Sequence, residues 1–169
     1  MKLETLISKE QLGERIAQLG AEIKKDYEGK DLTLVCVLTG SVFFMTELAK
    51  HLDPAHTLFD FMQLSSYEGG TKSKGSVTLV KDLAQDLSGR EVLVVEDIID
   101  TGLSLEFTLD YIRNRGAKCV KLCTLLHKNK VEIIADYVGF NIPNKFVVGF
   151  GLDYEERYRN LDYIGVISQ

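Results

Sequence analysis

The chain has 169 residues, of which 45% are hydrophobic and 27% are charged, and its formal net charge is −5. This length and composition fit one globular domain with a sizeable core. The negative charge disfavours broad nucleic-acid binding, which needs a basic face, and no apolar run approaches the roughly 20 residues that a membrane span needs.

The N-terminal stretch MKLETLISKEQ lacks the apolar segment of a secretory signal, so we expect no signal peptide. Apolar runs contain the three cysteines, Cys36, Cys119 and Cys123. An odd number of cysteines in such positions predicts buried free thiols and a cytoplasmic location rather than a disulfide framework. Cys119 and Cys123 have no histidine at ligand spacing, which disfavours a zinc site.

The first part of the chain alternates helical and strand patterns. Ser8 begins a capping-box pattern that opens a helix, and Gly29 ends it. The predicted buried stripe of this helix is Leu12, Ile16, Leu19, Ile23 and Tyr27. The apolar run 32–38 predicts a strand buried on both faces, as in a parallel sheet. Residues 43–52 predict the crossover helix, and residues 58–64 predict a second strand.

Residues 65–76, SSYEGGTKSKGS, interrupt this alternation. Three glycines, four serines and a threonine cannot build a core, so the stretch predicts a long exposed loop. Loops of this length inside a compact domain are usually lids or disordered segments, and we expect this one to order over a bound ligand. Residues 77–83 then predict an antiparallel arm.

The second part of the chain continues the alternation. Residues 92–96 predict a buried strand, residues 101–115 a helix, and residues 119–126 another strand. Residues 137–140 and 146–150 predict two short strands around a turn. Alternating strands and helices predict an α/β fold, with a parallel twisted sheet and right-handed crossovers. Without repeats or a linker, residues 1–169 are expected to form a single domain.

The stretch VLVVEDIIDTGLSL, residues 92–105, ends a predicted strand in three acids, Glu96, Asp97 and Asp100. Ligands of open α/β sheets bind beyond the carboxyl ends of the strands. The free N–H groups at the start of the next helix suit a phosphate, and Gly102 allows it to approach closely. The acids suit sugar hydroxyls or Mg²⁺. Together these features favour a pentose 5-phosphate as the ligand.

This stretch resembles the 5-phosphoribosyl-1-pyrophosphate (PRPP) binding motif of type I phosphoribosyltransferases: two acids, two spacers, Asp-Thr-Gly and a hydroxyl residue. VLTGS at 37–41 is similar to the family's pyrophosphate loop, and SSYEGG to the start of its flexible active-site loop. LLHK (125–128), IPNKFVVGFGLDY (142–154) and YRNLDYIG (158–165) resemble segments of the hypoxanthine(-guanine) phosphoribosyltransferases. The resemblance extends over nearly the whole chain.

The resemblance implies the type I phosphoribosyltransferase fold, in which the N- and C-terminal segments form a small purine-binding hood. It implies purine salvage: Mg²⁺-dependent transfer of the 5-phosphoribosyl group from PRPP to hypoxanthine, with guanine as a second candidate base. The products would be IMP or GMP and pyrophosphate. It also implies a homodimer or homotetramer, and neither nucleic acid nor a membrane is expected as a partner.

The resemblance further implies a role for each matching residue around PRPP. Glu96 and Asp97 would hold the ribose hydroxyls, directly or through Mg²⁺, and Asp100 would face purine N7 as the general acid or base. The residues implied for the 5-phosphate are Asp100, Thr101, Gly102, Leu103 and Ser104. Those implied for pyrophosphate are Thr39, Gly40 and Arg159.

Other matching residues are implied at the purine. Lys128 would reach the purine 6-oxygen, Phe146 would stack on the ring, and the Val147 backbone would meet the ring edge. Asp153 would lie nearby and organise a second Mg²⁺ on the pyrophosphate. The residues implied to close over the reacting atoms are Ser66 and Tyr67. A cis peptide bond is implied before Thr39, where some relatives carry a lysine.

Simpler interpretations stay open for six of these residues. Asp100 could only cap a helix while Glu96 and Asp97 form a solvated edge. Lys128 and Arg159 could be surface charges, and Phe146 could belong to the core. Two other functions also fit part of the pattern. One is a regulator that binds PRPP with little chemistry, which the net charge disfavours. The other is a nucleotide-binding module with a phosphate-accepting aspartate.

Overall fold

The computed structural model describes residues 2–67, 76–130 and 132–168. Helices in these ranges are α1 (Lys9–Asp26), α2 (Val42–Ala49) and α3 (Leu103–Asn114). The strands are β1 (Lys2–Ile7), β2 (Leu32–Leu38), β3 (Thr57–Tyr67), β4 (Ser76–Lys81), β5 (Glu91–Ile99), β6 (Cys119–Lys128), β7 (Tyr137–Ile142), β8 (Val147–Val148) and β9 (Ile164–Ser168). None of the described helices is both long enough and apolar enough to cross a membrane.

The central sheet has six strands in the spatial order β4-β3-β2-β5-β6-β7. β3, β2, β5, β6 and β7 run parallel, and β4 joins the edge antiparallel to β3. The predicted parallel sheet and the predicted antiparallel arm are therefore confirmed. Because β2, β5 and β6 are neighbours, the residues at their carboxyl ends meet at one edge of the sheet.

Helices cover both faces of this sheet. α1 and α2 pack on one face, against the inward side chains of β2, β5 and β6, and α3 packs on the other. The predicted capping box is confirmed, because the Ser8 hydroxyl accepts from the Gln11 N–H and the Gln11 side chain accepts from the Ser8 N–H. All five residues of the predicted stripe on α1 and at its end are buried. The cysteines are free thiols as predicted, although Cys119 is only half-buried.

β1, β9 and β8 form a second, antiparallel sheet from the two ends of the chain. The hydrophobicity pattern predicted neither β1 nor β9, since both are short and pair with each other across nearly the whole sequence. β8 is shorter than the predicted strand 146–150, because Gly149 (φ 96°) and Phe150 (φ 48°) turn the chain in left-handed conformations. Phe146 and Val147 stand at the start of this second sheet.

The predicted loop 65–76 is shorter than expected, because Ser65, Ser66 and Tyr67 extend β3 and pair with β4. Residues 68–75, which carry most of the predicted lid, lie outside the described residues. So do the side chains of Ser66 and Tyr67, which the resemblance places over the reacting atoms.

Candidate active site

The candidate active site lies where β2, β5 and β6 end side by side. β5 continues to Ile99 rather than ending at Glu96, because its last residues pair with the end of β6. Glu96 and Asp97 therefore belong to the strand, and Asp100 follows it directly. Lys128 ends β6, and Thr39 follows β2. Residues far apart in the sequence thus converge at this edge of the sheet.

The loop after β2 is packed tightly against its surroundings. The predicted cis peptide bond is confirmed between Leu38 and Thr39. A Cβ atom at Gly40 would lie 1.8 Å from Asp97 Oδ2, and a Cβ at Gly151 would lie 2.0 Å from the Gly40 carbonyl oxygen. Both glycines are therefore required by close contact, and the loop is held between the end of β5 and the segment after β8.

The neighbouring Glu96 and Asp97 carboxyls are half-buried and interact with each other. Burial raises the pKa of Glu96 well above its usual value, and repulsion by Asp97 adds to this effect. Burial also raises the pKa of Asp97, although hydrogen bonds from Glu96 and from the Ile98 N–H, 2.7 Å from Oδ1, oppose it. Bringing a cation to this pair would favour its fully ionised form.

These two carboxylates fit Mg²⁺, which proteins usually hold with one or two carboxylates, substrate phosphates and water. In the described ranges, no three His, Cys, Asp or Glu side chains gather as a closed metal cluster. Asp153, the other predicted metal ligand, already has partners on both oxygens. Its Oδ1 lies 3.1 Å from Arg159 Nη2, and its Oδ2 accepts from the Glu156 N–H at 2.9 Å.

The turn after β5 leads into α3 through Gly102, whose φ of 83° is the left-handed conformation that glycine adopts most readily. Gly102 is the N-cap of α3, and no side chain caps the helix. The alternative that Asp100 caps this helix is therefore wrong. Thr101, Leu103 and Ser104 are exposed, so the uncapped N–H groups of the first turn stand beside exposed hydroxyls. This arrangement suits a phosphate.

Asp100 lies between two lysines. Its Oδ2 accepts from Lys128 Nζ at 2.8 Å, and its Oδ1 lies 3.0 Å from Lys130 Nζ. Burial alone would raise the pKa of Asp100, but the hydrogen bonds and charges of the two lysines outweigh it and lower the pKa. Asp100 is therefore a carboxylate at neutral pH. Lys128 is only 6% exposed, so the alternative of a plain surface lysine is wrong.

The second sheet adds an aromatic side to the site. Phe146 is 52% exposed and meets the Tyr154 ring edge-on, with 5.6 Å between centroids and an interplanar angle of 86°. The alternative that Phe146 is a core residue is therefore wrong, and its ring is free to contact a ligand. Val147 is buried and pairs with Val166, which leaves its backbone as the part able to contact a ligand.

Arg159 is fixed rather than solvated. Its Nη1 donates to the Gly151 carbonyl at 2.8 Å, and its Nη2 lies 3.1 Å from Asp153 Oδ1 and 3.3 Å from Glu156 Oε2. The predicted alternative of a freely solvated charge is therefore wrong. The guanidinium lies on the same segment that backs the loop at Gly40.

Sequence reasoning missed Lys130 and the contact between Gly40 and Asp97. Lys130 follows a strand end in a polar turn, where a lysine carries no distinguishing pattern. The only available signal was its spacing, two residues beyond Lys128, and spacing does not show which carboxylate it meets.

Comparisons with known proteins agree with this geometry. The phosphoribosyl transferase domain family matches residues 4–155. The hypoxanthine-guanine phosphoribosyltransferase of Streptococcus pneumoniae is 52% identical, over 98% of this chain and 93% of that protein. The Bifunctional protein TilS/HprT of Listeria monocytogenes is 53% identical, and the chain spans only 26% of its length. The crystal structure of a hypoxanthine phosphoribosyltransferase from Staphylococcus aureus superposes with a TM-score of 0.91 at 44% identity, over 98% of this chain and 91% of that one.

Proposed function

Because the chain belongs to the phosphoribosyltransferase family, we propose that it transfers the 5-phosphoribosyl group of PRPP to hypoxanthine, with guanine as a second base. The observation that carries this proposal is the buried Lys128 ammonium 2.8 Å from Asp100, directly beside the uncapped start of α3. One side of this arrangement suits a sugar phosphate, and the other suits a base that accepts a hydrogen bond at its 6-position.

In this proposal the N–H groups at the start of α3 and the hydroxyls of Thr101 and Ser104 bind the 5-phosphate. Glu96 and Asp97 accept from the ribose hydroxyls and would hold Mg²⁺, whose charge would stabilise the leaving pyrophosphate. The Thr39-Gly40 loop and Arg159 orient that pyrophosphate. The C1–O bond breaks ahead of attack by purine N9, so most of the enzyme's work is to hold the reacting atoms in line.

Asp100 and Lys128 serve the base in this proposal. Lys128 donates to the 6-oxygen, and Asp100 accepts a proton from the imidazole ring at N7. In the free enzyme the lysines keep the pKa of Asp100 low, which makes it a weak base. When Lys128 turns its hydrogen bond toward the purine, Asp100 loses part of that stabilisation and becomes a stronger base. Binding of the base thus prepares the carboxylate for proton transfer.

Turnover of hypoxanthine with PRPP and Mg²⁺, followed by absorbance, tests the proposal. We expect formation of the nucleoside 5-monophosphate, and we expect EDTA to stop it. Binding of PRPP without turnover of hypoxanthine or guanine would instead identify a PRPP-binding regulator. Failure to bind PRPP at all would exclude both functions.

Gly40→Ala should push the Thr39-Gly40 loop away from the Glu96 and Asp97 carboxylates. The new Cβ would lie 1.8 Å from Asp97 Oδ2, so the loop or the carboxylate must move. We expect kcat/KM for PRPP to fall on the order of 10²-fold, the cost of misplacing a site by about 1 Å. The matched control is Gly13→Ala in α1, where a Cβ meets no atom within 4 Å and activity should be unchanged. Normal PRPP kinetics in Gly40→Ala would show that the loop does not act on the leaving group.

We further propose that the chain forms a homodimer or homotetramer, as the resemblance implies. Light scattering at micromolar concentration should then give twofold or fourfold the chain mass of 19.0 kDa. A mass near that of a single chain would contradict the prediction. The cytoplasmic location expected from the free thiols stays a prediction.

A further inference from the structure

We infer that Lys130 is a positioning residue for the base: it holds Asp100 while Lys128 turns from Asp100 to the purine 6-oxygen. This inference rests on the proposed function and adds a residue that the sequence motifs did not include. It stands on geometry. Each oxygen of Asp100 has its own lysine, with Lys128 at 2.8 Å from Oδ2 and Lys130 at 3.0 Å from Oδ1.

The two lysines differ in exposure, and the difference suits a change in which Lys128 leaves Asp100 for the purine while Lys130 stays with Asp100. Lys128 has a side chain only 8% exposed, at the end of a paired strand, so its ammonium is confined to the site. The Lys130 side chain is 45% exposed and belongs to the turn that follows β6. The confined lysine therefore meets the buried ligand, and the exposed one is free to stay with the carboxylate.

Binding of a 6-oxopurine costs free energy at the Lys128–Asp100 ion pair. The Lys128 ammonium must leave Asp100 or share its three donors between the carboxylate and the new oxygen. A half-exposed carboxylate that loses its only cation is disfavoured, with solvent screening part of the cost. Lys130 removes most of this cost, because Asp100 keeps an ion pair throughout the exchange. It also keeps the carboxylate from rotating away from the purine.

A direct contact between Lys130 and the sugar phosphate is the rival explanation. Lys130 lines an open recess of about 560 Å³ together with Asp100, Thr101 and Glu106, and Thr101 belongs to the phosphate turn. If Lys130 bound the phosphate, its replacement would raise the Michaelis constant for PRPP. If it acts through Asp100, its replacement raises the Michaelis constant for the base. The two Michaelis constants therefore distinguish the two roles.

Lys130→Met tests the inference, with Lys130→Arg as the conservative variant and Lys118→Met as the control. Lys118 pairs with Glu91 at the opposite end of the sheet, so its replacement should change neither Michaelis constant. We expect Lys130→Met to raise the Michaelis constant for hypoxanthine roughly tenfold, because Asp100 then has no ion-pair partner left when Lys128 turns to the purine. The Michaelis constant for PRPP should change little, and Lys130→Arg should restore the value for hypoxanthine.

A double-mutant cycle with Lys128→Met gives the sharper test. Without Lys128 there is no exchange of partners, so adding Lys130→Met should raise the Michaelis constant for the base much less than it does in the unmodified protein. Additive effects, or a rise in the PRPP constant alone, would overturn the inference. If the unmodified protein turned over hypoxanthine normally and Lys130→Met did the same, only the role of Lys130 would fail. Absence of turnover in the unmodified protein would instead reject the proposed function.

Discussion

Replacing Asp100 with asparagine is expected to lower kcat about 10²–10⁴-fold, the usual contribution of a general acid or base. The amide preserves the shape of the side chain and can still accept from Lys128, but it cannot take a proton. The Michaelis constant for PRPP should change far less, because the 5-phosphate is bound mainly by the start of α3. Steady-state kinetics with both substrates varied would measure the two effects separately.

Asp110→Asn is the matched control for this variant. Asp110 lies on the exposed side of α3, where it pairs with Arg113 at 3.1 Å, so its loss should leave kcat unchanged. Near-normal turnover in Asp100→Asn would show that Asp100 only organises its lysines. A large rise in the PRPP constant with an unchanged kcat would assign it to substrate binding instead.

The pH dependence of the unmodified protein should agree with this assignment. The ion pairs with Lys128 and Lys130 lower the pKa of Asp100 in the folded protein, despite the opposing effect of burial. The carboxylate form is therefore fully present at neutral pH and is lost only as the pH falls through that lowered value. The kcat/KM for hypoxanthine reports the free enzyme, so it should not decline because of Asp100 between neutral pH and the ordinary aspartate range near about 4.

The sequence predicted which side chains gather at the carboxyl ends of the strands where local pattern determines their position. An apolar strand that ends in acids, followed by Thr101-Gly102, predicts a turn at the end of the sheet that suits a phosphate, without knowledge of the fold. The buried stripe of α1 and its cap at Ser8 follow from local periodicity in the same way. Each of these features depends on residues close together in the chain.

The features of the fold and of the candidate site that the sequence did not predict depend on contacts between residues far apart in the chain. β1 pairs with β9 across more than 150 residues of sequence, so neither strand has a local signal. The fit of Gly40 against Asp97 joins the loop after β2 to strand β5, and a glycine after a strand suggests only a turn. The role that we infer for Lys130 depends solely on the position of Asp100. Local pattern identifies the chemical groups, whereas their partners are fixed by tertiary structure.

Choice of base is the property that should depend most on Lys128. A lysine ammonium has three donors and no acceptor, so it pairs with the 6-oxygen of hypoxanthine or guanine but meets only an amine in adenine. A site built around such a polar contact rejects the wrong partner by roughly 10⁴–10⁵-fold. We therefore expect hypoxanthine to be used well, guanine as a second substrate, xanthine poorly and adenine not at all.

Lys128→Met should weaken this preference by removing the contact with the 6-oxygen while preserving the buried volume. We expect kcat/KM for hypoxanthine and guanine to fall on the order of 10²-fold, since a charge-assisted hydrogen bond contributes about 1.5–3 kcal/mol. Adenine should gain little, because methionine offers its amine no acceptor of useful strength and Asp100 then pairs with Lys130 alone. Specificity constants for the four bases, measured in the unmodified protein, in Lys128→Met and in the remote control Lys118→Met, would test each step. Efficient use of adenine by the unmodified protein would contradict both the role of Lys128 and the proposed substrate.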